Sequence, residues 1–185
     1  NENGELVVLI NHELGNKAGS VRAHGASGAF VSEWRFDPAS LKALGGRDLI
    51  HTQVLHTGDK SMGRLCSADL PATTAFHNPA SGLGTSSRIF MSGEENGPNG
   101  RAFAHIASGP HSGTSYELPR LGQASWENLL ANPFAQDLTV LIGLDDTHPK
   151  PNEKSRTDNT VGKLHVYLGQ KQAMGSEIDK AGLNN

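Results

Sequence analysis

The sequence predicts an all-β protein: β-propeller-like blades of antiparallel strands with long loops and a short helix, forming part of a larger propeller. Three observations carry that expectation. Glycine is abundant at 22, proline stands at 9 and aromatic residues make up only 5%, a composition that favours a loop-rich β protein over a helical one. The apolar residues fall in short runs of β type. A unit of strand, acidic turn, polar loop and strand recurs loosely, with acidic turns at 13, 94–95 and 145–146. The last interval fits one blade of roughly 40–50 residues, and the first holds one blade plus an insertion.

The elements follow in chain order. Residues 5–10 are rich in Leu, Val and Ile and predict a strand buried on both faces. In residues 28–36, Phe30, Ser32, Trp34 and Phe36 share one face and Val31, Glu33 and Arg35 the other, a strand of period 2 that Asp37-Pro38 stops. Residues 49–55 predict another strand. Residues 56–86 carry Gly58, Gly63, Pro71, Pro79, Gly82 and Gly84 and read as a long irregular loop, a kind of connection that usually carries function. Residues 88–92 predict an apolar strand. The turn signal Asn96-Gly97-Pro98-Asn99-Gly100 joins it to a hairpin partner at 101–106. A short strand follows at 115–118. Residues 125–133 read as a turn or two of helix, with Ser125 as N-cap and Asn132-Pro133 as the stop. Residues 138–144 and 163–168 predict a last antiparallel pair, joined by a polar link at 147–161.

The 185 residues suffice for one domain, 1–185, with a substantial core. The chain opens almost directly on a strand without an initiator Met and ends in the turn-like Gly182-Leu183-Asn184-Asn185, so it is expected to be a segment of a longer propeller. The strands found account for two or three blades, whereas a closed propeller has four or more. An incomplete propeller is expected to self-associate or to be marginally stable. A formal charge of −3 offers no basic footprint for nucleic acid and no polybasic patch for a membrane surface. No run approaches the roughly 20 apolar residues of a membrane span. The single cysteine, Cys66, excludes an intramolecular disulfide framework.

The chemistry centres on Gly93-Glu94-Glu95-Asn96, an apolar strand ending in two adjacent carboxylates. Like charges side by side resist burial unless a cation neutralises them. Glu13, after Asn11-His12, and Asp145-Asp146, after Gly143-Leu144, end two further strands in the same way. Carboxylates are hard ligands for calcium, magnesium or ferric iron. Asp and Glu at strand ends also serve as ordinary solvated turns. Cys66 in the long loop would add a soft donor that favours a transition metal, or is a small buried apolar residue. Glu127, placed just inside the expected helix, would either compensate its dipole or join the site. The nine histidines show no ligand spacing, and the chain contains no Gly-x-Ser-x-Gly elbow and no P-loop.

Taken in order, Asn11-His12-Glu13, Cys66 in its Gly-rich loop, Gly93-Glu94-Glu95-Asn96, Leu121-Gly122 with Glu127, and Gly143-Leu144-Asp145-Asp146 resemble the PhoX family of alkaline phosphatases. The resemblance spans about residues 5–170 and rests on order and spacing. It implies a β-propeller whose channel holds ferric iron (Fe3+) and calcium (Ca2+), bound by a cysteine and glutamates, and which hydrolyses phosphate-ester small molecules in the periplasm or after secretion. The metal residues it implies are Glu13, Cys66, Glu94 or Glu95 and Glu127. Asp145 and Asp146 match a Gly-Asp-Asp stretch interrupted here by Leu144. The chain departs from the family pattern where Trp126 stands before Glu127 in place of His. The family's later Arg and Glu residues would lie beyond residue 185. The competing expectations are a non-catalytic calcium-binding propeller module and a calcium-dependent lactonase or phytase-like hydrolase.

Overall fold

A computed structural model describes residues 3–147 and 162–185 and shows, among them, an all-β arrangement of thirteen strands in sheets that are antiparallel except for one parallel pair. Sheet 1 comprises β1 (Leu6–His12), β2 (Phe30–Phe36) and β3 (Ala43–Asp48) in chain order. Sheet 2 runs in the order β4-β10-β9-β8-β5, from β4 (Thr52–Val54), β5 (Leu65–Asp69), β8 (Ile89–Glu94), β9 (Ala102–Ile106) and β10 (Thr114–Glu117). The link between β5 and β8 holds the small hairpin of β6 (His77–Asn78) and β7 (Leu83–Gly84). Sheet 3 comprises β11 (Trp126–Ala131), β12 (Leu138–Asp145) and β13 (Leu164–Gln170). The one α-helix among the described residues is α1 (Glu177–Lys180), held by a capping box between Ser176 and Asp179.

Sheet 2 is the middle layer. Its β8 and β9 are buried at every position, and alternation sends successive side chains into two different cores. Phe90 and Phe103 pack toward sheet 1 with Val31, Leu49, Ile50, Met62 and Leu65. Ile89, Met91, Ala104 and Ile106 pack toward sheet 3 with Trp126, Leu129 and Leu141. The other face of each outer sheet is apolar and exposed. Leu130, Ile142, Leu164, Val166 and Leu168 line it on sheet 3, and Leu6, Ile10 and Trp34 on sheet 1. The described residues form no closed ring or barrel.

Several expectations are corrected. Residues 5–10 form a strand, but Leu6 and Ile10 face solvent, so it is buried on one face only. The expected helix at 125–133 is instead β11, paired antiparallel with β12. The region 56–86 contains β5, and β3 lies where no strand was expected. The terminal segment is not a loose turn: Ala181 and Leu183 are fully buried in the second core, and the Tyr167 hydroxyl donates to the Asn185 carbonyl at 2.7 Å. The hairpin of β8 and β9 and the pairing of β12 with β13 stand as expected. The link at 147–161 lies outside the described residues except for Thr147.

Candidate metal centre

Three edge strands build the site. β1, β5 and β11 each form the edge of their own sheet, and β5 lies between the other two. Glu13 follows the last residue of β1. Cys66 lies within β5 at an irregularity: Leu65 pairs with Glu94 and Ala68 with Ser92, so Cys66 and Ser67 together face Gly93. Glu127 lies at a second irregularity, between Trp126 paired with Asp145 and Asn128 paired with Leu144. An extra residue in one strand bends it and re-aims its side chains. Here both bulges turn ligand-type side chains toward one another. The Glu127 carboxylate accepts from the Cys66 thiol at 3.4 Å and from the Ser67 hydroxyl at 3.3 Å. The Asn11 amide donates to the Cys66 carbonyl at 3.2 Å and ties this bulge to β1.

Five of the seven residues expected from sequence converge. Glu13, Cys66 and Glu95 bring ligand atoms within 4.8 Å of one another, and so do Glu95, Glu127 and Asp146. Glu95 joins the two groups. The neighbouring Glu94 and Asp145 do not take part. Adjacent residues of a strand point to opposite faces, so a Glu-Glu pair cannot deliver both carboxylates to one point. Glu94 turns toward sheet 1 and is buried against Arg101, with side-chain nitrogen to oxygen distances of 2.7 and 2.8 Å. It also accepts from the Gly63 and Arg101 backbone amides at 2.9 and 3.0 Å. Asp145 accepts from the Ser125 amide at 3.1 Å and from the Thr147 hydroxyl at 2.5 Å. Its role is to hold the start of β11 against the end of β12.

Arg64 faces the cluster. Its guanidinium donates to Glu13 at 2.9 and 3.1 Å and to Glu95 at 3.0 Å. Its backbone amide donates to the Leu14 carbonyl, and its own carbonyl accepts from the Glu95 amide. It sits at φ 39°, in the left-handed region that non-glycine residues seldom enter. Both its backbone and its side chain are thus held by the segments that carry the carboxylates. Among the described residues, one guanidinium stands against four carboxylates.

The donor set fits cations. Four carboxylates are hard oxygen ligands and the thiolate of a cysteine is a soft one. Burial, and then the hydrogen bond to Glu127, push the Cys66 thiol up to about 11, so without a cation it is a neutral donor. A metal at this point reverses that order, because a coordinating thiol loses its proton. The Asn11 side-chain oxygen is buried and has no hydrogen-bond donor among the described residues. An amide oxygen is a calcium-type ligand. Asn11 is therefore a candidate ligand that the acidic strand-end pattern of the sequence does not single out. His12 lies elsewhere: its ring stacks on Phe30 at 4.0 Å and its Nε2 meets the Ser32 hydroxyl at 2.8 Å.

Trp126, the residue before Glu127, serves the packing of the sheets. It is buried between sheets 2 and 3, and a Cβ at either Gly93 or Gly143 would overlap it. The residue before Glu127 thus packs the two sheets together rather than facing the cluster. No family model, no curated protein and no solved structure matches this chain.

Proposed function

We propose that the chain carries the metal centre of a phosphate-ester hydrolase, and that its three sheets are consecutive blades of a β-propeller. The observation that carries this reading is the convergence of Glu13, Cys66, Glu95, Glu127 and Asp146 from the edges of three sheets. Each sheet starts at the site and runs outward in chain order, except for the added outermost strand β4. That is the arrangement expected of meander blades around a channel. The exposed apolar faces of sheets 1 and 3 are the faces on which neighbouring blades would pack.

Bound iron and calcium ions would supply Lewis acidity toward the phosphoryl oxygens. Cys66 would favour iron over a purely calcium site, because it is the soft donor of the set. Glu13, Glu95, Glu127 and Asp146 would hold the hard cations, and the Asn11 oxygen would complete a calcium-type shell. Arg64, half exposed, would offer its planar fork to the phosphoryl group once the carboxylates turn to the ions. The resemblance to the PhoX family supports the same assignment and a periplasmic or secreted location.

The test is metal analysis of the protein, with a phosphomonoester assay before and after chelation. The expected result is bound iron and calcium and an activity that chelation removes and the two metals restore. Full activity in a metal-free sample would contradict the proposal. Cys66→Ala is expected to lose iron and activity together.

A further inference from the structure

Beside the acidic cluster opens a polar cleft of about 190 Å³. Asn16, Asn96, Asn99 and Gln123 line it together with Asp59, all of them exposed. The cleft and the cluster share their walls. A Cβ at Gly63 would lie 3.1 Å from the Asn96 amide nitrogen and 3.5 Å from the Asn16 Cβ, so these three residues meet. The next residue, Arg64, grips Glu13 and Glu95. Segments 13–16, 63–64 and 94–96 therefore each contribute to both.

The lining has a definite chemistry. The four side-chain amides make no hydrogen bond to the described residues. Each presents two donors and an acceptor with two lone pairs. The cation in the wall, Arg101, is spent. Its five N–H groups go to both Glu94 oxygens at 2.8 and 2.7 Å, to the Thr57 hydroxyl at 3.2 Å, to the Asp59 carbonyl at 2.7 Å and to the Ser61 carbonyl. Both oxygens of Glu94 are occupied by the same ion pair and by backbone amides. Asp59, whose carboxyl is held below its usual range chiefly by the Ser61 hydroxyl, adds a negative charge. Among the described residues the lining has no free cation and carries an ionised carboxylate, a combination that disfavours phosphate. Clustered amides with a carboxylate match neighbouring hydroxyl groups, each of which donates one hydrogen bond and accepts others.

We propose that this cleft binds the hydroxylated leaving group of the ester, a sugar or other polyol, while its phosphoryl group faces the acidic cluster. The assignment of the two ends rests on the phosphatase reading; the affinity of the cleft for polyols does not. Two measurements separate them. In the first, the side-chain amide signals of the ¹⁵N-labelled, metal-free protein are followed by NMR during titration with myo-inositol, D-glucose and, separately, orthophosphate. The expected result is that the Asn16, Asn96, Asn99 and Gln123 signals shift together and saturably with at least one polyol and not with orthophosphate. The double variant Asn99→Ala/Gln123→Ala is expected to bind that polyol roughly tenfold more weakly, the scale of one or two lost hydrogen bonds. Unmoved signals with both polyols, or shifts of these signals with orthophosphate, overturn the proposal. In the second, kcat/KM is compared for glucose 6-phosphate and p-nitrophenyl phosphate. The double variant is expected to lose roughly tenfold in its preference for the sugar ester relative to the aryl ester. Turnover of both esters with an unchanged preference overturns the subsite. Saturable polyol binding without turnover of either ester supports the subsite and removes the phosphatase reading alone.

Discussion

At the scale of single residues, the two members of the Glu94-Glu95 pair have separate tasks. Glu94 is one half of a buried ion pair with Arg101, and removing one partner of such a pair leaves an uncompensated buried charge. Glu94→Gln is expected to destabilise the fold by about 3 kcal/mol or more, measured by denaturant unfolding. Glu95→Gln removes one of several crowded like charges. It is expected to leave the metal-free stability unchanged or higher and to abolish metal uptake, read by calorimetric titration. Equal stability losses in the two variants would contradict the division. His105 provides a pH signature. It is wholly buried between the Ser92 hydroxyl at 2.6 Å and the Ser115 hydroxyl at 2.9 Å, and burial pushes its imidazolium pKa down to about 3. The unfolded chain takes up this proton near the usual value of about 6.5, whereas the native state does not. The contribution is therefore fully present above pH 6.5 and is lost as the pH falls from there toward 3. Unfolding curves across that range are expected to show falling stability in the wild type and a shallower fall in His105→Gln. Parallel curves would contradict the assignment.

At the scale of elements, the candidate site depends on two bulges, and the same bulges hid it from the sequence. An uninterrupted strand announces itself by period 2 or by a continuous apolar run, which is why β2, β8, β9, β12 and β13 were legible. In β11 the irregularity at Glu127 shifts the buried positions from Trp126 to Leu129. That spacing of three, followed by Asn132-Pro133, imitates a short helix. In β5 the bulge at Cys66-Ser67 leaves no alternation to read, and the strand contains no β-branched residue. β3 is Ala-Leu-Gly-Gly-Arg-Asp, and its pairing is set by Trp34 lying against Gly46, a contact with no local signal. The acidic strand ends were visible because charge next to an apolar run is a local feature. Which member of each pair faces the cluster was not visible, because it depends on register. Gly93 tests the coupling between these elements. A methyl group there meets Trp126, which precedes the bulged Glu127. Gly93→Ala is expected to cost about 1–3 kcal/mol by overpacking and to weaken metal binding, as β11 is pushed away from β5. A fully stable variant with unaltered metal affinity would show that the two strands are not coupled through this contact.

At the scale of the whole molecule, three sheets stand side by side, with apolar surface exposed on both outer sides. Val166 and Leu168 are each 58% exposed on sheet 3, alongside Leu164 at 63%. Contiguous apolar surface of this kind drives association. The chain on its own is expected to self-associate, and Val166→Lys/Leu168→Lys is expected to shift it toward monomer in sedimentation velocity. A wild-type chain that stays monomeric at high concentration would contradict that expectation. The account's central claim also lives at this scale, since no single sheet supplies more than part of the ligand set. Glu13 comes from beside sheet 1, Cys66 and Glu95 from sheet 2 and its end, and Glu127 and Asp146 from sheet 3 and its end. The most direct test is iron K-edge X-ray absorption of the metal-loaded protein and of Cys66→Ser. The account predicts iron surrounded by oxygen ligands and one sulfur in the wild type, with the sulfur contribution gone in the variant. A wild-type protein that takes up no iron, or the same sulfur-free surroundings in both proteins, would contradict it.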